Sequence, residues 1–365
     1  MNISNGKIGT RELLALILLT VGLKQTDVTP TALFPYGLTA TWMFPIISAI
    51  LLIVPFLLLL RVLKRHENKD LIQLTYDLTG NYIGFVISLL LFIFIFSTTV
   101  SYSRSTVDTL NTLFFPKTPQ VILYVSLLAV GYFIASKGLE VLGRTSWLTA
   151  PYLFIALFIL FVLLWHAMEW HHVKPFGGPG VGELLYEGGR HSYLVGEFIL
   201  FTVLYPCLRS HREFRIASLL GIFIVTIELT IFYAAFLMVY GYPSVENIAF
   251  PFQQLTRIVD LGRVFSNAES LFLGFWAIAT ITRTAIYLYI TVTIFAYMLK
   301  LKAFAPLFLP FTGVIFFLGL VPESNIENVL FLRESLLLQL NWLFILVLPV
   351  LLWILDNRRK RRRVG

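Results

Sequence analysis

Gly9-Thr-Arg-Glu-Leu-Leu-Ala-Leu-Ile-Leu-Leu-Thr-Val-Gly-Leu-Lys-Gln-Thr-Asp27 begins as an apolar helix and ends in polar residues. The apolar segment, at 11–28, is short, and Gly22 interrupts it just before Lys24. The pattern recurs at 192–208, where Gly196 is followed directly by Glu197. Glycine permits backbone breaks that a side chain would hinder, and unwound backbone in a membrane can turn N–H and C=O groups toward a ligand. A five-plus-five inverted repeat, with its first helix broken in each half, would place the two breaks opposite each other at the bilayer midplane. The sequence fits that arrangement.

Composition points the same way. Of 365 residues, 58% are hydrophobic and 13% charged, where soluble domains carry about 45–50% and about 25%. That balance excludes a soluble globular protein. The apolar runs far exceed the roughly ten-residue alternating stretches of an outer-membrane barrel, so the class is an all-α polytopic membrane protein. Ten apolar segments are readable, at 11–28, 42–60, 82–107, 118–136, 146–166, 192–208, 215–240, 268–298, 303–321 and 336–355. No polar stretch between them is long enough for a soluble domain, so residues 1–365 form a single transmembrane domain.

The basic residues set the expected topology. With the N-terminus inside, 19 of 28 Lys and Arg fall in the cytosolic loops and tails and only six in the outer loops, as the positive-inside rule requires for N-in and C-in. The run Arg358-Arg359-Lys360-Arg361-Arg362-Arg363 directly follows an apolar helix and reads as an anchor at the cytosolic face of the lipid bilayer, not as a nucleic-acid site. The N-terminal residues carry Lys7 and Arg11 without a cleavage pattern after the first apolar run, and are expected to be retained. Cys207, the single cysteine, excludes an internal disulfide.

Ionisable residues inside a membrane are costly and mark function or structural pairing. Here they are Lys24, Asp27, Arg104, Glu197, Glu228 and Arg283. Lys24 and Glu197 follow the glycine breaks and are expected at a ligand site with Gly22 and Gly196. Arg283 lies in Ala279-Thr-Ile-Thr-Arg-Thr-Ala285. Thr280 and Thr284 are read as lining the same cavity. Arg283 itself, permanently charged, is read as a structural counter-ion with Glu197 or Glu269 as its carboxylate and Thr280, Thr282 and Thr284 as further acceptors. Arg104, Asp27 and Glu228 are likewise read as structural. The group His166-Ala-Met-Glu-Trp-His-His172 sits between interfacial tryptophans Trp165 and Trp170 and is read as a membrane-surface cluster, with no metal expected. Gly177-Gly-Pro-Gly-Val-Gly182 lacks the preceding strand and following Lys-Ser/Thr of a phosphate loop, and is read as a turn. Phe250 to Asp260 is spaced like a short amphipathic helix lying along the outer surface as a lid or brace. No zinc-protease, nucleophile-elbow or Walker motif occurs, so neither enzymatic activity nor a cofactor is expected.

Several stretches carry a family resemblance: Gly9-Thr-Arg-Glu-Leu13 leading into Leu16 to Gly22, Ser103-Arg104 ahead of Phe115-Pro-Lys-Thr-Pro119, Gly196 to Pro206, Phe250 to Gly262, Glu269-Ser-Leu, and Leu309-Pro310. In their order and spacing the chain resembles the spore-germination permease family, the B subunits of Ger-type germinant receptors, within the amino acid-polyamine-organocation superfamily. The resemblance implies a LeuT-like fold with helices one and six broken around a small-molecule site walled by segments three and eight. It also implies an A subunit and a C lipoprotein as partners, the spore inner membrane as location, and a nutrient germinant such as an amino acid as ligand. Lys24-Gln-Thr-Asp27 departs from the more apolar stretch of the family and argues against a small apolar amino acid. The competing reading is a proton- or cation-coupled amino-acid or amine transporter with Glu197 as the coupling residue.

Overall fold

The computed structural model describes residues 7–258, 268–301, 303–322 and 338–364. Among them every regular element is helical. The first apolar segment is α1 (Thr10–Thr20), continued by a 3₁₀ turn over Gly22–Thr26, then α2 (Thr29–Gly37) and α3 (Phe44–Arg65). A short α4 (Leu71–Thr79) leads into the long α5 (Asn81–Leu113), followed by α6 (Gln120–Ser136) and α7 (Leu139–Leu164). The second half runs through α8 (Val181–Arg190), α9 (Tyr193–Gly196) with a 3₁₀ extension over Glu197–Cys207, and α10 (His211–Tyr240). It ends with α11 (Pro251–Ile258), α12 (Ala268–Met298), α13 (Phe308–Gly319), and α14 (Leu338–Trp342), which a π turn joins to α15 (Leu348–Val364).

Among the described residues six helical stretches are long and apolar enough to cross a membrane, and α6 and the Ala305–Gly319 stretch are shorter apolar helices. With the two interrupted segments, α1 and α9, they account for the ten segments read from the sequence. The protein is a multi-pass membrane protein. Most of these helices leave about half of their apolar surface outward, through residues such as Leu148, Phe158, Phe223 and Phe317, the side chains that lipid solvates. In α12 the balance differs: 83% of its apolar window is buried, so α12 is the axis of the bundle.

Local signals explain where helices start. Ser210 caps α10, its hydroxyl accepting from the Glu213 amide at 3.2 Å. Glu213 in turn accepts from the Thr10 amide at 3.1 Å, and Ile8 donates its amide to the Cys207 carbonyl at 3.0 Å. The entry to α1 is thereby stitched to the exit of the α9 segment. Gly80 and Gly138, at φ 88° and 94°, take the left-handed turns that let α5 and α7 double back.

Several of the basic residues assigned to one side share one end of the bundle. Arg65 donates to Asp356 at 2.6 Å, and Arg61, Lys64, His211 and Arg215 line one cavity of about 330 Å³. At the opposite end lie the stretches 165–191 and 241–258. Gly177 to Gly180 form a turn as expected, but Val181 and Gly182 already open α8, which was not anticipated. Its residues Leu184, Gly188 and Gly189 face the bundle while Val181, Leu185 and Tyr186 stay exposed, an amphipathic pattern whose ten residues are too few to stand out among full crossings. The expected helix from Phe250 is found as α11, buried through Phe252, Gln253 and Leu255. Asp260, Leu261 and Gly262, the side chain of Glu269, and residues 336–337 of the last segment lie outside the described residues.

Asp70 caps α4, accepting from the Ile72 and Gln73 amides at 2.7 and 3.0 Å. Burial pushes its carboxyl up to about 6 against those hydrogen bonds. The folded state therefore holds the proton at a pH where the unfolded chain has lost it, and this residue's contribution to stability falls as pH rises from about 4 to about 6. Asp70→Asn keeps a competent cap and removes that slope. Melting curves of detergent-purified parent and variant between pH 4 and 7 should diverge in that sense, and parallel curves would show that Asp70 does not titrate there.

Candidate functional site

The two interrupted segments meet at the centre, and a charge holds them. Beyond Val21 the chain tightens into a 3₁₀ turn, and Lys24 projects from it fully buried. α9 lasts only four residues before the backbone also turns 3₁₀ at Glu197. The last carbonyls of an α-helix lack partners within it. Here Lys24 supplies them: its ammonium donates to the Tyr193 carbonyl at 2.7 Å and the Leu194 carbonyl at 3.0 Å, and stands 2.9 Å from Glu197 Oε1. Three N–H donors meet three acceptors.

Glu197 has two further donors, the Tyr287 hydroxyl and, at 3.4 Å, the Tyr102 hydroxyl. The two tyrosine rings, one on α5 and one on α12, stack with centroids 5.6 Å apart. Arg283, one turn before Tyr287, lies with its guanidinium carbon 4.1 Å over the Tyr102 ring. Its Nη1 donates to Asp27 Oδ2 at 3.2 Å. Its Nε and Nη2 are buried and have no hydrogen-bond partner among the described residues. Two cations and two carboxylates thus sit together, charge-balanced, between α1, α9, α5 and α12.

The sequence-predicted residues divide on this geometry. Gly22, Lys24, Gly196 and Glu197 are brought together. The glycines, however, are there for room and not for backbone freedom, since neither takes a positive φ. A Cβ on Gly22 would stand 2.7 Å from Glu228 Oε2, and one on Gly196 would collide with Ile345 and approach Asn341. At the glycines the breaks are accordingly changes of helix type, and the backbone becomes extended only beyond each 3₁₀ stretch, at Asp27 and Leu208.

Thr280 shares the Arg283 and Tyr287 face of α12 by one-turn spacing. The Thr284 methyl instead packs toward α6, 3.3 Å from where a Cβ on Gly131 would lie. None of the threonines serves Arg283: Thr280, Thr282 and Thr284 donate back to the Ala277, Ile278 and Thr280 carbonyls at 2.9–3.0 Å. Short hydroxyls on a helix satisfy themselves on the preceding turn. Arg283 pairs with Asp27, not with Glu197. Arg104 has its own partners, Asp108 at 2.9 and 3.0 Å and the Gly319 carbonyl at 2.8 Å. No cation pairs with Glu228 among the described residues: its Oε1 accepts from the Gln25 amide at 2.8 Å, and its Oε2 has no hydrogen-bond partner among them.

Sequence reasoning missed Tyr102 and Tyr287, because a search for intramembrane charge passes over neutral phenols. The available signal was Tyr287 four residues after Arg283, on the same helical face. The brace from Phe250 does reach the site. Gln253 of α11 donates to the Thr26 carbonyl at 2.8 Å and Trp276 of α12 to the Thr26 hydroxyl at 3.1 Å, which closes the first break from the loop end.

The model of the spore germination protein family, the spore permeases, matches residues 28–328. The chain belongs to that family. Among its relatives in Bacillus subtilis strain 168, the putative spore germination protein YfkT is 25% identical over 76% of this chain and 75% of its own. Spore germination protein YndE is 20% identical over 88% of each chain, and spore germination protein B2 is 21% identical over 65% of this chain and 64% of its own. The match to the family begins at Val28, so the first break of this spore permease lies outside it.

The fold is LeuT-like. The nucleobase-cation-symport-1 transporter Mhp1, closed with bromovinylhydantoin bound, superposes with a TM-score of 0.65 at 16% identity, covering 94% of this chain and 78% of Mhp1. A substrate-bound Na⁺-coupled sialic acid symporter gives 0.60 at 10% identity, covering 97% and 77%. At such identities the likeness concerns the fold alone.

Two outcomes follow for the spore permease. Lys24→Ala strands Glu197 as an unpaired buried charge, a loss of about 3–5 kcal/mol, whereas adding Glu197→Gln should recover much of it. A double-mutant cycle on thermal stability in detergent measures this, and additive losses would mean that the two residues do not pair. Gly196→Ala should destabilise by about 1–3 kcal/mol through overpacking. Ile345→Ala in the same chain should relieve that loss, and absence of relief would put the fault elsewhere than at the α9 to π-turn contact.

Proposed function

We propose that this spore permease is the membrane-embedded, permease-like B subunit of a germinant receptor, binding a small nutrient between its two broken helices and triggering germination with an A subunit and a C lipoprotein. The spore inner membrane is its proposed location, with both termini in the cytosol. The co-location of Arg65, Arg61, Lys64 and Arg215 at the end carrying the C-terminal tail supports that orientation.

The observation that carries the reading is the Arg283 side chain. Lys24 has an acceptor for each N–H of its ammonium and Arg104 has acceptors at Nε and Nη1, while Arg283 keeps two buried donors without one among the described residues. An unsatisfied donor of a charged group in a buried position is expensive, and Nε with Nη2 forms the edge of the guanidinium that matches a carboxylate bidentately. The ligand class that this supports is a small carboxylate, including a zwitterionic amino acid. The ammonium of such a ligand would not take the α9 carbonyls, which Lys24 already occupies. Thr280, on the same face of α12, is the proposed additional lining residue.

A coupled transporter is the second reading, favoured by one observation: Glu228 is a buried carboxyl without a cation partner among the described residues, held only by Gln25. Such a group suits proton coupling better than Glu197, which already serves Lys24 and Tyr287. Accumulation of substrate in proteoliposomes under a proton gradient would favour this reading, and binding without turnover the sensor.

Arg283→Lys keeps the charge toward Asp27 but loses the planar fork. Affinity for a carboxylate nutrient should fall by about 1.5–3 kcal/mol, that is about 10- to 150-fold, with the protein still present in the membrane. A deletion strain complemented with parent or variant and germinated across amino acids and their carboxylate-free analogues tests this. A variant that answers the whole panel like the parent removes Arg283 as the ligand residue.

A further inference from the structure

We propose that Glu169, His171 and His172 form a binding site for a divalent transition-metal ion of the zinc class, at the end of the bundle remote from the basic tail. The sequence reading set this cluster aside as interfacial. In the structure one carboxylate oxygen, Glu169 Oε2, stands 3.3 Å from His171 Nε2 and 3.5 Å from His172 Nε2, and the three ligand atoms lie within 4.8 Å of one another. Those separations are longer than ordinary N–H···O bonds. They match the edge of a tetrahedral site instead, where bonds of about 2.0–2.1 Å put neighbouring ligand atoms about 3.3–3.4 Å apart.

The independent observation is the other nitrogen of His172. Its Nδ1 lies 3.0 Å from the Met238 carbonyl oxygen, and a carbonyl only accepts, so Nδ1 bears the proton. With Nδ1 committed to that carbonyl, Nε2 is the nitrogen turned toward the Glu169 carboxylate. A cation between the two, a metal ion or a proton, bridges them. An imidazole fixed by a backbone carbonyl through its second nitrogen is the arrangement that supports metal-bound histidine generally.

The same Met238 carbonyl accepts the Glu169 amide at 2.9 Å, so a single atom in the last turn of α10 positions two of the three ligands. The C-terminal end of a long helix also carries partial negative charge, which favours a bound cation. Two imidazoles with one carboxylate select zinc, nickel, copper or ferrous iron over calcium and magnesium, which prefer all-oxygen shells. His171 and Glu169 are largely exposed, so an ion reaches the site without opening the bundle, and a water completes its shell. The consequence is structural: the ion would clamp the stretch after α7 to the end of α10. This inference does not depend on the ligand reading of Arg283.

The test uses the full chain purified in detergent and stripped with a chelator. Titration with zinc against a chromophoric competitor should show one equivalent bound at micromolar zinc, and cobalt(II) in its place should give the visible absorption of a four-coordinate site. His171→Ala and Glu169→Gln, both exposed changes, should each weaken binding about tenfold or more. His66→Ala, at the opposite end, should leave it unchanged. Failure to bind one equivalent, or equal binding by the His171→Ala/Glu169→Gln double variant, overturns the site and leaves a protonated His172 facing Glu169.

Discussion

The Lys24 ammonium is the interaction on which the centre of this protein depends. A cation inside a membrane protein is tolerated only when acceptors replace its water, and here all three N–H groups have one. Two of the acceptors are carbonyls that exist only because α9 stops after four residues. The third is the carboxylate of the next residue. Shorten or lengthen α9 by a residue and both the carbonyls and Glu197 rotate away by about 100°, the angular step of a 3.6-residue turn. The second break therefore has its length set by the first, and Lys24 is what couples them.

Around that pair the packing leaves little slack. Glu228 of α10 occupies the space a side chain on Gly22 would need, and Ile345 and Asn341 fill the space beside Gly196. Gln253 and Trp276 hold Thr26 from the loop end. Each break is thus pinned by a different neighbour: the first by α10 and α11, the second by the π turn and α14. A ligand reaching Arg283 on the proposed reading would meet a guanidinium already fixed on one side by Asp27 and on one face by Tyr102, with only its open edge to offer. That is preorganisation, since the cost of orienting the group is met in folding and not in binding.

Much of this was legible in the sequence, and the part that was not has a physical reason. The apolar segments, the two interruptions and the basic asymmetry are one-dimensional signals, set by bilayer thickness and by charge, and they located Gly22, Lys24, Gly196 and Glu197 together. Pairing is not one-dimensional. Arg283 was given Glu197 or Glu269 and takes Asp27. Its neighbouring threonines were given to it and bond their own helix. Glu228 was read as a counter-ion, yet an amide from Gln25 faces it. In each case the sequence names the donor type while rotation about the helix axis, unreadable without the neighbouring helix, chooses the partner. The sequence sets the Glu169 cluster aside as interfacial for a related reason: what argues for the proposed metal site is the contact of His172 with a carbonyl 66 residues away in the chain.

Hydrogen bonds also divide the bundle into two bodies. In the first, α1, α9 and α10 are bound by Lys24 to Glu197 and to the α9 carbonyls, by Gln25 to Glu228 and by Glu213 to Thr10. In the second, α5, α6, α12 and α13 are bound by Thr99 to Thr291 at 2.9 Å, Ser103 to Tyr124 at 2.8 Å and Arg104 to Gly319 at 2.8 Å. Between the bodies, among the described residues, run one ion pair, Arg283 with Asp27, the hydrogen bond from Trp276 to the Thr26 hydroxyl, the phenol contacts to Glu197, and the stacking of Arg283 on Tyr102. Separating Lys24 from Glu197 would cost about 3–5 kcal/mol and expose carbonyls as well, whereas phenol hydrogen bonds to Glu197 can be replaced by water. Any functional motion, whether it moves a substrate or only a signal, is therefore cheapest as a displacement of one body against the other with Lys24 and Glu197 travelling together. The surface along which that displacement occurs is the one that holds the open edge of Arg283, so a small ligand bound there, as proposed, would have leverage over the whole bundle.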